Sequence, residues 1–212
     1  MVPTAARRLK GSGIPIAAVA AGFPHGLNPM SQRIEEIKAS VAAGATEIDI
    51  VITRANVLTH DWRALYDEVA AFREACGEAH LKTILATGEL GTLANVGKAS
   101  AVAMMAGADF IKTSTGKEAV NATLPVGLVM VRQIRDYEEL TGFKVGYKPA
   151  EGIRTAKQSL DWLSLIKEEL GDAWLTSSLF RIGASSLLSD IERQLEHGAT
   201  GHYSAYNRHP MP

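Results

Sequence analysis

Residues 47–52 read Glu-Ile-Asp-Ile-Val-Ile, a run with the length and composition of a β-strand. Successive strand side chains point to opposite sides, so Ile48, Ile50 and Ile52 share one face while Glu47 and Asp49 share the other. In a (β/α)₈ barrel the aliphatic face meets the helices and the second face points to the interior, towards the mouth where such barrels do chemistry. Polar residues inside strands therefore favour a barrel over an open, doubly wound sheet. A dinucleotide-binding sheet of that second kind would carry a Gly-rich fingerprint after its first strand, and Ala-Gly-Phe-Pro-His-Gly at 21–26 is not one.

Working outward, short apolar runs at 14–21, 80–86, 109–113, 144–148 and 180–183 join 47–53 as strand candidates. Helical patterns fill the intervals at 31–43, 61–76, 93–106, 124–141, 155–170 and 187–197. Thr92 and Thr123 stand at helix starts, and Gly44, Gly107 and Gly142 follow helix ends. The joint VAAGATEID at 41–49 recurs as MMAGADFIK at 104–112, each time a helix running into a strand through a tight loop. Strict alternation implies parallel strands joined by right-handed crossovers, an α/β fold of TIM-barrel type. About six strands are counted where such a barrel has eight, and the shortfall lies at the amino end. Residues 1–197 are expected to form a single domain and 198–212 a mobile tail.

Composition narrows the function. Of 212 residues, 46% are apolar, enough for a sizeable core, and 22 basic against 23 acidic side chains leave no basic stripe for nucleic acid. Cys76, the single cysteine, excludes an intramolecular disulfide and suits a reducing cytoplasm. No apolar run reaches the roughly 18 residues of a membrane span, and the basic start lacks the apolar stretch of a secretory signal. A soluble cytoplasmic protein is the expectation.

Lys82, Lys112 and Lys148 each interrupt an apolar strand. Singly, such lysines snorkel to water. On strands of one barrel, alternation can aim all three amines at one volume. Crowding and desolvation there disfavour the ammonium form and lower the pKa of one lysine. A neutral amine attacks carbonyl carbon, the first step of Schiff-base catalysis, and Asp49 on a neighbouring strand could shuttle protons. Gly183-Ala184-Ser185-Ser186 ends the last strand and opens the last helix, where backbone N–H groups and the dipole favour an anion; ordinary capping by Ser185 is the plainer alternative. Gly152 with Arg154, and the run Thr113-Ser114-Thr115-Gly116-Lys117, offer further lobes. Six scattered histidines show no H-x-x-x-H pair for zinc, and His202 and His209 fall in the expected tail. Cys76 sits in a helical stretch as a small hydrophobe.

The blocks FPHG (23–26), EIDIV (47–51), LKTILATGEL (81–90), AGADFIKTSTGK (106–117), VNAT (120–123), VGYKPAEGIRTA (145–156) and RIGASSLL (181–188) resemble, in order, those of the deoxyribose-phosphate aldolase family. The resemblance spans nearly the whole chain. It implies a class I aldolase that needs no metal and no cofactor, cleaving 2-deoxy-D-ribose 5-phosphate to acetaldehyde and D-glyceraldehyde 3-phosphate in deoxynucleoside catabolism. By motif, Lys112 matches the Schiff-base lysine, Lys148 the lysine that depresses its pKa, and Asp49 the acid of the proton relay. Gly152, Gly183, Ser185 and Ser186 match phosphate-holding positions, and Lys82 matches a strand lysine behind the site. The expected partner is a small sugar phosphate, with no nucleic acid or membrane and with self-association.

Two departures stand out. Glu151 replaces the first glycine of the family's K-P-A-G-G, putting a carboxylate and a Cβ where phosphate and backbone should approach. Pairing with Arg154 could turn it aside, so weakened binding is expected rather than abolished binding. Counted against the family, residue 14 begins the third barrel strand, and the first two strands and first helix have no counterpart. A non-catalytic, shortened homologue that binds a full-length partner is the alternative this leaves.

Overall fold

A computed structural model describes residues 1–205 and 208. Five parallel strands form one sheet in chain order: β1 (Ala17–Ala20), β2 (Glu47–Val51), β3 (His80–Ile84), β4 (Phe110–Lys112) and β5 (Gly146–Lys148). Among the described residues eight α-helices accompany them: α1 (Val2–Arg8), α2 (Met30–Ala42), α3 (Arg54–Leu58), α4 (Trp62–Cys76), α5 (Leu93–Met105), α6 (Leu124–Thr141), α7 (Ala156–Leu170) and α8 (Leu187–Thr200). Asp61 caps α4 by accepting from the Ala64 N–H, and Thr155 with Gln158 forms a reciprocal capping box on α7. No helix among the described residues is long and apolar enough to cross a membrane.

The sheet is curled. Neighbouring strands lie about 4.8 Å apart, so in a flat sheet β2 and β5 would be separated by roughly 14 Å. Yet Lys148 on β5 bonds Asp49 on β2 at 2.8 Å, and Arg181, beyond β5, bonds Glu47 on β2 at 2.7 Å. Only a barrel wall brings such strands face to face. Ile48, Ile50, Leu81, Ile111 and Tyr147 point outward and form one buried core with the helices. Glu47, Asp49, Lys82, Lys112 and Lys148 point inward.

Several expectations are corrected. The expected strand at 180–183 pairs its backbone with the sheet's fifth-strand segment only through the bridges Tyr147–Phe180 and Ala150–Gly183. Arg181 and Gly183 donate to Tyr147 O and Pro149 O, but Pro149 has no N–H to return, and the ladder lapses there. β1 is shorter than the run 14–21. It pairs on one side only among the described residues, leaving Val19 47% exposed on the inward face. Helices α1 and α3, of two turns or fewer, are too short to have shown a periodic stripe. Helix α8 continues to Thr200, so 198–200 are helical rather than tail. His202 is exposed, while His209 and the rest of 206–212 apart from Arg208 lie outside the described residues.

Gly146 faces inward opposite Phe110, and a Cβ built on it would run into the Phe110 ring. That ring is fixed between the sheet and the Arg181 guanidinium, 5.4 Å from its centroid. Gly146→Ala is therefore expected to destabilise by about 2 kcal/mol, lowering Tm by roughly 4–8 °C, as calorimetry would show; an unchanged Tm would mean that Phe110 has room to move.

Candidate active site

The interior of the curled sheet holds one carboxylate at the centre of three amines. Asp49 Oδ1 accepts from Lys82 Nζ at 3.0 Å, while Asp49 Oδ2 accepts from both Lys112 Nζ at 3.0 Å and Lys148 Nζ at 2.8 Å. Asp49 is 2% exposed and Lys82 wholly buried, so these are ion pairs in a weakly screened interior. Exposure of the side chains rises from Lys82 (0%) to Lys112 (9%) and Lys148 (15%), placing the last two at the mouth. Register explains the convergence. Lys112 and Lys148 are direct partners on β4 and β5, and Asp49 lies opposite Lys82 one strand pair further round.

Burial by itself would raise the Asp49 carboxyl. The ammonium groups of Lys112, Lys148 and Lys82 outweigh it and hold the group far below the ordinary carboxylate range, so Asp49 is anionic at any working pH. Lys148 moves the other way from a typical ion-paired lysine. Desolvation, with the like charges of Lys112 and Lys82, lowers its pKa against the opposing pull of Asp49. The lysine whose ammonium form is disfavoured here is Lys148, whereas the resemblance assigns it the part of depressing Lys112.

Beneath the hub lies a second carboxylate that sequence reasoning did not single out. Glu47 Oε2 accepts from Lys82 Nζ at 2.6 Å and from Arg181 Nη1 at 2.7 Å. Burial raises the Glu47 carboxyl, and Lys82 and Arg181 bring it down below its usual value. Lys82 is thereby a strut between two carboxylates. The signal for Glu47 was its shared face with Asp49. Arg181 could have been found only by knowing that the far wall curls back. Cys76, at the end of α4, is fully buried and its thiol is pushed up to about 11, in keeping with a small hydrophobe.

A cleft of about 270 Å³ opens above the hub, lined by Ala17–Val19, Asp49, Lys112, Thr115, Lys148, Ala150, Glu151, Gly183 and Ala184. Gly183 lines it where a side chain would be crowded, since a Cβ there would meet Ala150 at 3.0 Å and the Lys148 stem at 3.3 Å. Gly152, Ser185 and Ser186 stand beside the cleft in the chain without lining it. Ser186, not Ser185, is the N-cap position of α8, and its side chain makes no capping bond. The run at 113–117 does not offer its amides outward. The Glu118 carboxylate already accepts from Thr115 N, Gly116 N and the Thr115 hydroxyl at 2.8–3.1 Å. Among the described residues no ion pair joins Glu151 to Arg154.

A parallel, curled α/β sheet with lysines gathered round one acid defines the class, and residues 1–192 match the model of the DeoC/LacD family aldolases; the chain belongs to that family. Over 209 residues it is 68% identical to the deoxyribose-phosphate aldolase of Mus musculus and 66% identical to that of Homo sapiens, covering 98% of this chain and 66% of each relative. The chain therefore spans just under two thirds of the length of these mammalian relatives. The tetrameric deoxyribose phosphate aldolase of Aeropyrum pernix superposes with a TM-score of 0.69 at 23% identity, covering 92% of this chain and 74% of that one, which supports the fold.

Proposed function

We propose that the chain is a class I aldolase that cleaves 2-deoxy-D-ribose 5-phosphate to acetaldehyde and D-glyceraldehyde 3-phosphate in deoxynucleoside catabolism. The observation that carries this is the single oxygen, Asp49 Oδ2, shared by Lys112 and Lys148 at 3.0 and 2.8 Å. One anion cannot fully neutralise two ammonium groups, so an uncharged amine is kept accessible at the cleft. The motif assigns the nucleophile to Lys112 and the electrostatic partner to Lys148.

In this reading the Lys112 amine adds to the sugar aldehyde and water leaves, giving an iminium. A base takes the proton of the 3-hydroxyl, the C2–C3 bond breaks, and its electron pair enters the iminium as an enamine while glyceraldehyde 3-phosphate departs. Protonation at C2 and hydrolysis then release acetaldehyde and restore Lys112. Asp49, matched by motif to the acid of the proton relay, is held anionic by three ammonium groups and serves the relay by orienting Lys148 and water, while Lys148, whose pKa is lowered, carries the proton. Gly152, Gly183, Ser185 and Ser186 are proposed to hold the phosphate at the start of α8, and Lys82 to support Asp49 from behind.

The same reading takes residues 1–197 as one domain acting in the cytoplasm on a small sugar phosphate, bound to neither nucleic acid nor membrane. Self-association is part of it, supported by the tetramer described for the Aeropyrum pernix protein.

Borohydride tests the chemistry directly. Incubation with 2-deoxyribose 5-phosphate and reductant should add a reduced adduct to Lys112, identified by peptide mass analysis. An adduct on Lys148 would exchange the two roles, and a folded, unlabelled chain would refute the proposal.

A further inference from the structure

The cleft above the lysines contains an acidic side chain in an unusual backbone position. Glu151 has φ +64°, a left-handed conformation in which a Cβ is disfavoured, and it lines the cleft together with Lys112, Lys148 and Gly183. Its side chain lies across the turn at Gly116. A Cβ at Gly116 would sit 2.7 Å from Glu151 Cγ and 3.4 Å from Oε1, so the carboxylate covers the Thr115–Gly116 rim. The amides nearby are already engaged: Glu151 N donates to Gly183 O at 2.7 Å and Gly183 N to Pro149 O at 2.8 Å, while Thr115 N and Gly116 N serve Glu118. A doubly charged phosphate arriving at this rim meets a carboxylate where the amides of Thr115, Gly116, Glu151 and Gly183 are already spent. An uncharged hydroxymethyl end meets no such repulsion.

Resting on the aldolase reading, we propose that Glu151 is a specificity-determining residue: it loosens the hold on a terminal phosphate and brings the unphosphorylated 2-deoxy sugar into the range of accepted substrates. A like charge in a partly screened cleft is worth roughly tenfold in affinity.

The test compares wild type with Glu151→Gln, which keeps shape and strain but removes charge, and Glu151→Gly, which relieves both. Each is assayed with 2-deoxyribose 5-phosphate and with 2-deoxyribose, and inorganic phosphate binding is titrated by calorimetry. The ratio of kcat/KM for the phosphorylated over the unphosphorylated sugar is expected to rise about tenfold in Glu151→Gln, through KM, and at least as far in Glu151→Gly, with phosphate binding tightened in step. An unchanged ratio and unchanged phosphate affinity in both variants would overturn the proposal, as would a gain confined to Glu151→Gly, which would make shape the cause. A chain that cleaves neither sugar refutes the aldolase reading, and the phosphate titration still decides this one.

Discussion

Asp49→Asn is expected to abolish measurable turnover and to destabilise the chain by about 3 kcal/mol at neutral pH. The substitution is nearly isosteric, so the loss is electrostatic. Lys82 would keep its bond to Glu47, which Arg181 also engages, while Lys112 and Lys148 would lose the carboxylate they now share. Removing one partner of a buried ion pair typically costs about 3–5 kcal/mol, and the lower end applies because Lys148 can shed its proton. The sign of the pH dependence follows from the direction of the Asp49 shift. Its carboxyl is held below its ordinary value of 3.8, so its contribution is fully present above that pH and is lost as the pH falls below it. Denaturant unfolding of wild type and variant should show a constant gap from pH 5 to 7 that narrows in stronger acid. A variant as stable as wild type at pH 7 would mean that the hub is not a net source of stability.

That hub was half legible in the sequence. Period-two alternation placed Asp49 and Glu47 on one face, and the three lysines were visible as intrusions into apolar strands, because a strand's inward face is fixed by local pattern. What pairs with what was not. The Arg181–Glu47 bond spans 134 residues and depends on how far the sheet curls, a property of the whole sheet rather than of any segment. The same limit explains the lapsed strand at 180–183: its composition reads as extended, and the missing N–H belongs to Pro149 on the neighbouring strand. The run Thr113–Lys117 read as a phosphate lobe because its hydroxyls and glycine are local. That Glu118 folds back onto those amides required the loop's path. Arg33 is another buried charge that pattern did not flag. From α2 it donates to Ala21 O and Val51 O and pairs with Glu68, tying the loop after β1 to the end of β2 and to α4. On the helical stripe of α2 an arginine reads as solvent-facing, and only the assembled loops supply its partners.

Lys148→Met separates stability from chemistry. Lys148 has a folded pKa lowered chiefly by desolvation, so its charged form is a burden on the fold below that pKa and the burden disappears as the pH rises through the ordinary value of 10.5. A methionine fills similar volume without a charge, and Asp49 keeps Lys82 and Lys112 as partners. The variant should therefore match or exceed wild-type stability at pH 7. Its kcat should fall by about 10²–10⁴, the usual range for removing a positioned proton-transfer group, with KM changed far less. The residual activity should also move to more alkaline pH, since the reacting amine no longer has an ammonium neighbour across Asp49 Oδ2 to discourage its own charge. Lysine at this position is then a case in which the fold tolerates a destabilising charge because the reaction uses it, and the two signatures are independent: chemical unfolding reads the first, a pH–rate series the second. A stable variant whose pH–rate profile coincides with that of wild type would remove Lys148 from the mechanism while leaving the barrel intact.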